Sequence, residues 1–322
     1  MANATLAFIF PGQGSQTVGM LEGMYAEYEA VRQTFAEASD ALGEDIWSLI
    51  QSGPQEALNM TATTQPVLLT CSVALWRAWL EAGGAQPCVM AGHSLGEFSA
   101  LVCAGSLGFA DAVQLVSKRG EFMQAAVPAG EGAMAAVIGL DDDSINAVCA
   151  EVAGAGKGVV AAVNFNSPGQ VVIAGHVAAV DAANVALKEA GAKRAMPLPV
   201  SAPFHTSLMQ PAGEQLAAEL ASLELLTPTI PVVHNVHAQQ EPDSQRITSL
   251  LVEQIHQPVL WTGCIETMVK AGAQQFVECG PGKVLSGLNR RIDKSLTSYN
   301  IDEPAAFQAA VEAINEHTGD SA

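Results

Sequence analysis

Positive charge is scarce in this sequence: 14 Lys and Arg stand against 33 Asp and Glu in 322 residues, a formal net charge of -19. A chain this acidic repels phosphate backbones, which argues against a nucleic-acid partner, and an anionic ligand must be met by a local basic exception. Lys283, Arg290, Arg291 and Lys294 fall within twelve positions and form such an exception. Long apolar runs are missing too, and nothing approaches the roughly 18 to 20 residues of a membrane span. The opening MANATLAFIFPGQGSQ has neither the basic start nor the small-residue cleavage site of a signal peptide. A cytoplasmic protein with no membrane association is expected, with a monomer as the default state. The six cysteines are widely spaced in mostly apolar contexts, without a Cys-x-x-Cys pair or metal-ligand spacing, so reduced, buried thiols and no metal are expected.

What is present is a core-forming chain, 49% hydrophobic and 15% charged. Its length suits one large domain, or a large domain carrying a smaller insertion. An apolar run over residues 4–10 stops at Pro11-Gly12-Gln13-Gly14 and reads as a buried strand ending in a loop. Helices are predicted over 20–42 and 65–82. A short apolar run, 88–91, then leads into Gly92-His93-Ser94-Leu95-Gly96, with a helix predicted over 97–104. Ser94 thus sits where strand becomes helix, the context in which a G-x-S-x-G pattern exposes a nucleophile on a turn too tight for side chains on either flank.

From 127 to 199 the pattern changes. Strand 133–139, helix 141–153, strands 159–165 and 170–174, helix 177–190 and strand 193–198 give the order βαββαβ, with Asn166-Ser167-Pro168-Gly169 as the turn between the middle strands. This is the ferredoxin-like arrangement. The rest continues as helix 208–223, strand 230–236, helices 246–255 and 261–271, strand 275–279 and a closing helix 283–292, with residues 317–322 frayed. The expected fold is α/β: an α/β-hydrolase-like core with a mostly parallel sheet, residues 1–126 and 200–322, and a ferredoxin-like subdomain inserted at 127–199.

A serine nucleophile needs a base, and histidine is the usual one. His93 adjoins Ser94, but neighbours on a sharp turn point apart. His234 and His237 read as solvated or rim residues after a strand, and His317 lies in the tail. His205 leads, because it stands in an irregular stretch between the insertion and the body. No acid stands out to orient it: Asp141, Asp142 and Asp143 are better explained as a helix cap. Arg119 lies on a predicted helix over 110–127, and its bland reading is a surface arginine. Gly280-Pro281-Gly282-Lys283 lacks the full phosphate-loop pattern and reads as the turn before the last helix.

Pro11-Gly12-Gln13-Gly14-Ser15-Gln16, Gly92-His93-Ser94-Leu95-Gly96-Glu97, Lys118-Arg119-Gly120, Asn166-Ser167-Pro168-Gly169-Gln170, Phe204-His205 and Gly280-Pro281-Gly282-Lys283 occur in this order across nearly the whole chain. In this the sequence resembles the malonyl-CoA:acyl carrier protein transacylases of fatty acid synthesis, and more distantly the acyltransferase domains of polyketide synthases. The resemblance implies that Ser94 is acylated, that His205 is its general base and acid, and that the Gln254 carbonyl orients His205 in place of an acid. It implies an oxyanion hole from the Gln13 and Leu95 amides, and Arg119 as a two-pronged clamp on the malonyl carboxylate. Phe204 departs from members with serine before the histidine; in the polyketide domains an aromatic there accompanies malonyl rather than branched units.

The partners implied are malonyl-CoA and acyl carrier protein, with CoA as leaving group and no metal or redox cofactor. Arg194, Lys283, Arg290 and Arg291 are expected to dock the acidic carrier or CoA. Rival readings are a serine esterase or thioesterase, an acyltransferase of a polyketide pathway, and a non-catalytic module that binds carrier protein.

Overall fold

The computed structural model describes residues 2–200 and 202–319. Strand β1, Ala2–Phe10, shows why the main sheet is buried on both sides. Leu6 to Phe10 have no exposed surface. Leu6, Phe8 and Phe10 enter one apolar cluster while Ala7 and Ile9 enter another. Because successive strand residues face opposite sides, a continuous apolar run demands cover on both faces.

The remaining strands are β2 (Gln86–Gly92), β3 (Gly132–Ile138), β4 (Val160–Ser167), β5 (Gln170–His176), β6 (Arg194–Pro197), β7 (Val232–Val233), β8 (Gln275–Glu278) and β9 (Thr297–Asn300). One sheet has the order β7-β2-β1-β8-β9 and is parallel throughout. The other, β4-β5-β3-β6, is antiparallel throughout. Read as β6-β3-β5-β4, with helices Asp142–Val152 and Val177–Glu189 between its strands, it has the ferredoxin-like arrangement. Its own core includes Val137, Ile145, Ile173 and Leu187. A short parallel bridge ties it to the body: the Phe165 amide donates to the Val259 carbonyl at 3.0 Å, and the Val259 amide to the Val163 carbonyl at 2.8 Å.

Several expected elements differ. The helix predicted over 20–42 is two, Glu22–Glu27 and Glu29–Leu42, broken at the extended Tyr28. The Tyr28 ring packs 4.8 Å from that of Phe307, and Arg32 Nη1 donates to the freed carbonyls of Tyr25 and Ala26. The strand predicted over 230–236 shrinks to Val232–Val233, because Pro231 has no amide to pair, Asn235 turns toward Ser94 and His234 toward Glu97. The body does not close at 292. β9 adds an edge strand, and helix Pro304–Gly319 follows, so residues 317–319 continue a helix rather than fray; residues 320–322 lie outside the described residues. No helix among the described residues is long and apolar enough to cross a membrane.

Candidate active site

Ser94 sits on the turn between β2 and helix Gly96–Cys103, with a left-handed φ of 51°. Such a turn leaves its backbone groups outside the sheet ladder, and side chains take them up. Asn235 Oδ1 accepts from the Ser94 amide at 2.7 Å, and Gln254 Nε2 donates to the Ser94 carbonyl at 2.9 Å. The flanking glycines are steric requirements. A Cβ on Gly92 would lie 1.8 Å from the Gly96 carbonyl carbon, and one on Gly96 would lie 2.0 Å from the Phe10 oxygen. The loop after β1 also presses on the elbow, since a Cβ on Gly12 would meet the His93 oxygen at 2.6 Å. This contact carries the Gln13 backbone to the elbow. Among the described residues, neither the Gln13 nor the Leu95 amide has a hydrogen-bond acceptor.

His205, also left-handed at φ 63°, places Nε2 2.9 Å from Ser94 Oγ and Nδ1 2.7 Å from the Gln254 carbonyl. A carbonyl only accepts, so Nδ1 carries the proton, and the lone pair of Nε2 faces the Ser94 hydroxyl. Burial, followed by the positive charge of Arg119, lowers the His205 pKa to about 3. The imidazole is therefore neutral and ready to accept a proton at neutral pH. The backbone carbonyl takes the place where a triad acid would stand.

Arg119, on helix Phe109–Ala125, has no exposed surface, so the surface reading of this residue is wrong. Its Nη1 donates to Gln65 Oε1 at 2.7 Å; its Nη2 donates to Gln254 Oε1 at 2.8 Å and to Ser94 Oγ at 3.3 Å. A cation thus lies beside the nucleophile, held by two neutral amides. Burial lowers its pKa to about 9, while the charge of Glu97 opposes the shift.

His93 does not touch Ser94: its Nε2 donates to Asn166 Oδ1 at 2.8 Å. Asp141 caps its helix, accepting from the Ser144 amide at 2.8 Å. His234 corrects the solvated reading. It is fully buried, and its Nδ1 lies 2.6 Å from Glu97 Oε1. Glu97 Oε2 accepts from the Asn235 amide at 3.0 Å and from Gln254 Nε2 at 2.8 Å. Sequence reasoning passed over Gln65, Glu97 and Asn235. A signal existed for Glu97, a lone carboxylate in the otherwise apolar or small Gly96–Cys103 helix, where a buried charge requires partners.

Phe204 is nearly buried and lines a hollow of about 440 Å³ with Met60, Thr61 and Val200. A second cleft, of about 260 Å³, runs between Gln13 and His93, the small sheet at Ala136, Asn164 and Gln170, and helix Val284–Ile292. Arg194, Lys283, Arg290 and Arg291 are all exposed. Ile138 pairs with Gln170 on one side and Arg194 on the other, and paired residues project from the same face. Arg291 Nη1 donates to Gln170 Oε1, a residue that lines this cleft, while Arg194 lies one strand beyond Ile138 on the same face.

Residues 7–316 match the family model for the acyl transferase domain. The chain is 59% identical over 306 residues to the malonyl CoA-acyl carrier protein transacylase of Escherichia coli K12, covering 95% of this chain and 98% of that protein. It superposes on the crystal structure of an acyl carrier protein S-malonyltransferase from Vibrio cholerae with a TM-score of 0.93, at 54% identity, covering 95% of this chain and 99% of that one. A malonyl-transacylase solved in complex with a type II polyketide acyl-carrier protein gives a TM-score of 0.94 at 51% identity, over 96% of this chain and 99% of that one. By sequence and by fold, this chain belongs to the malonyl CoA-acyl carrier protein transacylases.

Proposed function

We propose that Ser94 carries the malonyl group from malonyl-CoA to the phosphopantetheine thiol of acyl carrier protein, in two displacements that share one base. The observation that carries this reading is the convergence on Ser94 Oγ of a neutral imidazole at 2.9 Å and a buried guanidinium at 3.3 Å. In the first step His205 Nε2 takes the serine proton as Oγ attacks the thioester carbonyl. The amides of Gln13 and Leu95 hold the oxyanion, where one such donor is typically worth about 10²- to 10³-fold in rate. The C–S bond breaks, and His205 returns the proton to the departing CoA sulfur. In the second step His205 deprotonates the carrier thiol, whose sulfur attacks the malonyl-serine ester; the proton ends on Ser94 Oγ.

Arg119 binds the carboxylate at the far end of the malonyl group by two parallel charge-assisted bonds, giving up its contact with the serine oxygen. Phe204 narrows the neighbouring space against branched acyl groups. Arg194, Lys283, Arg290 and Arg291 receive the acidic carrier or CoA on a chain that is otherwise negative. We extend the proposal to a cytoplasmic monomer that needs no metal or redox cofactor, serving fatty acid synthesis.

The test is intact mass after brief exposure to malonyl-CoA, followed by a chase with holo carrier protein. A malonyl adduct that is absent in Ser94→Ala, persists in buffer and moves to the carrier is the expected result. An adduct lost to water at the same rate with or without carrier would make the protein a hydrolase.

A further inference from the structure

Arg119 poses an electrostatic problem. Its guanidinium is fully buried, its Nε has no partner among the described residues, and the atoms it bonds belong to neutral amides or to Ser94. A buried charge normally requires a compensating one. A carboxylate placed directly on Arg119 would compensate it, but would also occupy the donors that a substrate carboxylate must use.

Glu97 resolves the conflict from one amide away. Gln254 Oε1 accepts from Arg119 while Gln254 Nε2 donates to Glu97 Oε2 at 2.8 Å, so one amide sets its negative end on the guanidinium and its positive end on the carboxylate. The amide cannot be turned around, because its NH2 group would then face the Arg119 donors. On the other side, Glu97 Oε1 accepts from His234 Nδ1. His234 Nε2 is buried without a partner among the described residues, which favours its bare lone pair over an N–H. His234 is then neutral, and Glu97 keeps its negative charge for Arg119.

We propose that Glu97 is a positioning residue for the acyl donor's carboxylate: relayed by the Gln254 side chain and held by His234, it balances the charge of Arg119 while leaving the guanidinium free to bind substrate. The carboxylate specificity of the site is therefore set partly by a residue that the substrate never touches.

This rests on Arg119 being the partner of the malonyl carboxylate, and the experiment separates the two claims. Rates of Ser94 acylation are measured by intact mass with malonyl-CoA and with acetyl-CoA, which lacks the carboxylate, in wild type, Arg119→Ala, Glu97→Gln, His234→Leu and His234→Asn. Folding is checked by thermal melts. In Glu97→Gln the charged acceptor that fixes the Gln254 amide is lost, so Arg119 is no longer held in register. This loss of position is expected to outweigh the added pull of an unbalanced guanidinium on an anion. The ratio of malonyl to acetyl rates then falls about 10- to 100-fold, the scale of one hydrogen bond to a charged group, with the loss mainly in KM for malonyl-CoA. His234→Leu falls in the same direction, and His234→Asn, which keeps an N–H donor near the place of Nδ1, restores the ratio. If Arg119→Ala collapses the ratio but Glu97→Gln lowers both rates by the same factor, Glu97 is only a brace of the elbow and the inference is wrong. If Arg119→Ala leaves the ratio unchanged, the clamp itself fails and the inference falls with it.

Discussion

Between pH 5 and 8, acylation of Ser94 should ignore the ordinary histidine titration. An imidazole with a pKa near 6.5 is about 90% protonated at pH 5.5, so a base of that kind would lose about tenfold in kcat/KM on acidification from pH 8. His205 is different, because its pKa lies at about 3. Burial contributes most, Arg119 second and His93 less, while the carbonyls of Gln254 and Gln257 oppose the shift. Essentially all of His205 is then neutral at pH 5.5. The assay is quenched-flow acylation read by intact mass at constant ionic strength, and the expected kcat/KM is flat across the range. An acid limb with a midpoint near pH 6.5 would refute the argument, since it would mean that the imidazole is solvated. Arg119→Met removes the second contributor but not burial, so the limb should move up from about 3 without reaching 6.5. The same shift has a sign for stability. The unfolded chain takes up a proton below about pH 6.5 that the folded site refuses until about 3. Folding stability is therefore lost as pH falls through that window, by at most about 1.4 kcal/mol per pH unit, and His205→Gln should lack this component in denaturant titrations.

Two further outcomes are expected. Phe204→Ser should open the hollow beside the base and raise acylation by methylmalonyl-CoA relative to malonyl-CoA by about 10- to 100-fold, in keeping with roughly 1 to 3 kcal/mol per methyl-sized change; an unchanged ratio in a competition assay would remove Phe204 from the specificity pocket. Reversing Arg290 and Arg291 to Glu should raise KM for acyl carrier protein and flatten or reverse its rise with salt, because screening then relieves repulsion rather than weakening attraction, while leaving acylation by malonyl-CoA much less affected; an unchanged KM for the carrier would mean that these charges only solvate their helix.

Local features of this protein could be read directly from the chain. The G-x-S-x-G elbow depends on contacts between neighbours, as when a Cβ on Gly92 collides with Gly96. The βαββαβ order was legible because each of its elements carries its own periodicity and its turns carry Gly and Pro. Elements without a pattern of that kind were not: β9, Thr-Ser-Tyr-Asn, is a short edge strand without an apolar run, and the break at Tyr28 depends on packing against Phe307, far along the chain. Ser94 and its pattern, the irregular stretch around His205 and the scarcity of basic residues were visible in the residues themselves, whereas the roles given to Arg119 and Gln254 rested on a family resemblance. Only the tertiary structure placed His205 Nε2 on a hydroxyl 111 residues away, set the Gln254 amide against the Ser94 carbonyl across 160 residues, and joined Glu97 to His234 across 137. The physical reason is that an isolated helix or turn can specify backbone shape, but a buried charge can be sited only when every group that compensates it is brought into place by the rest of the fold.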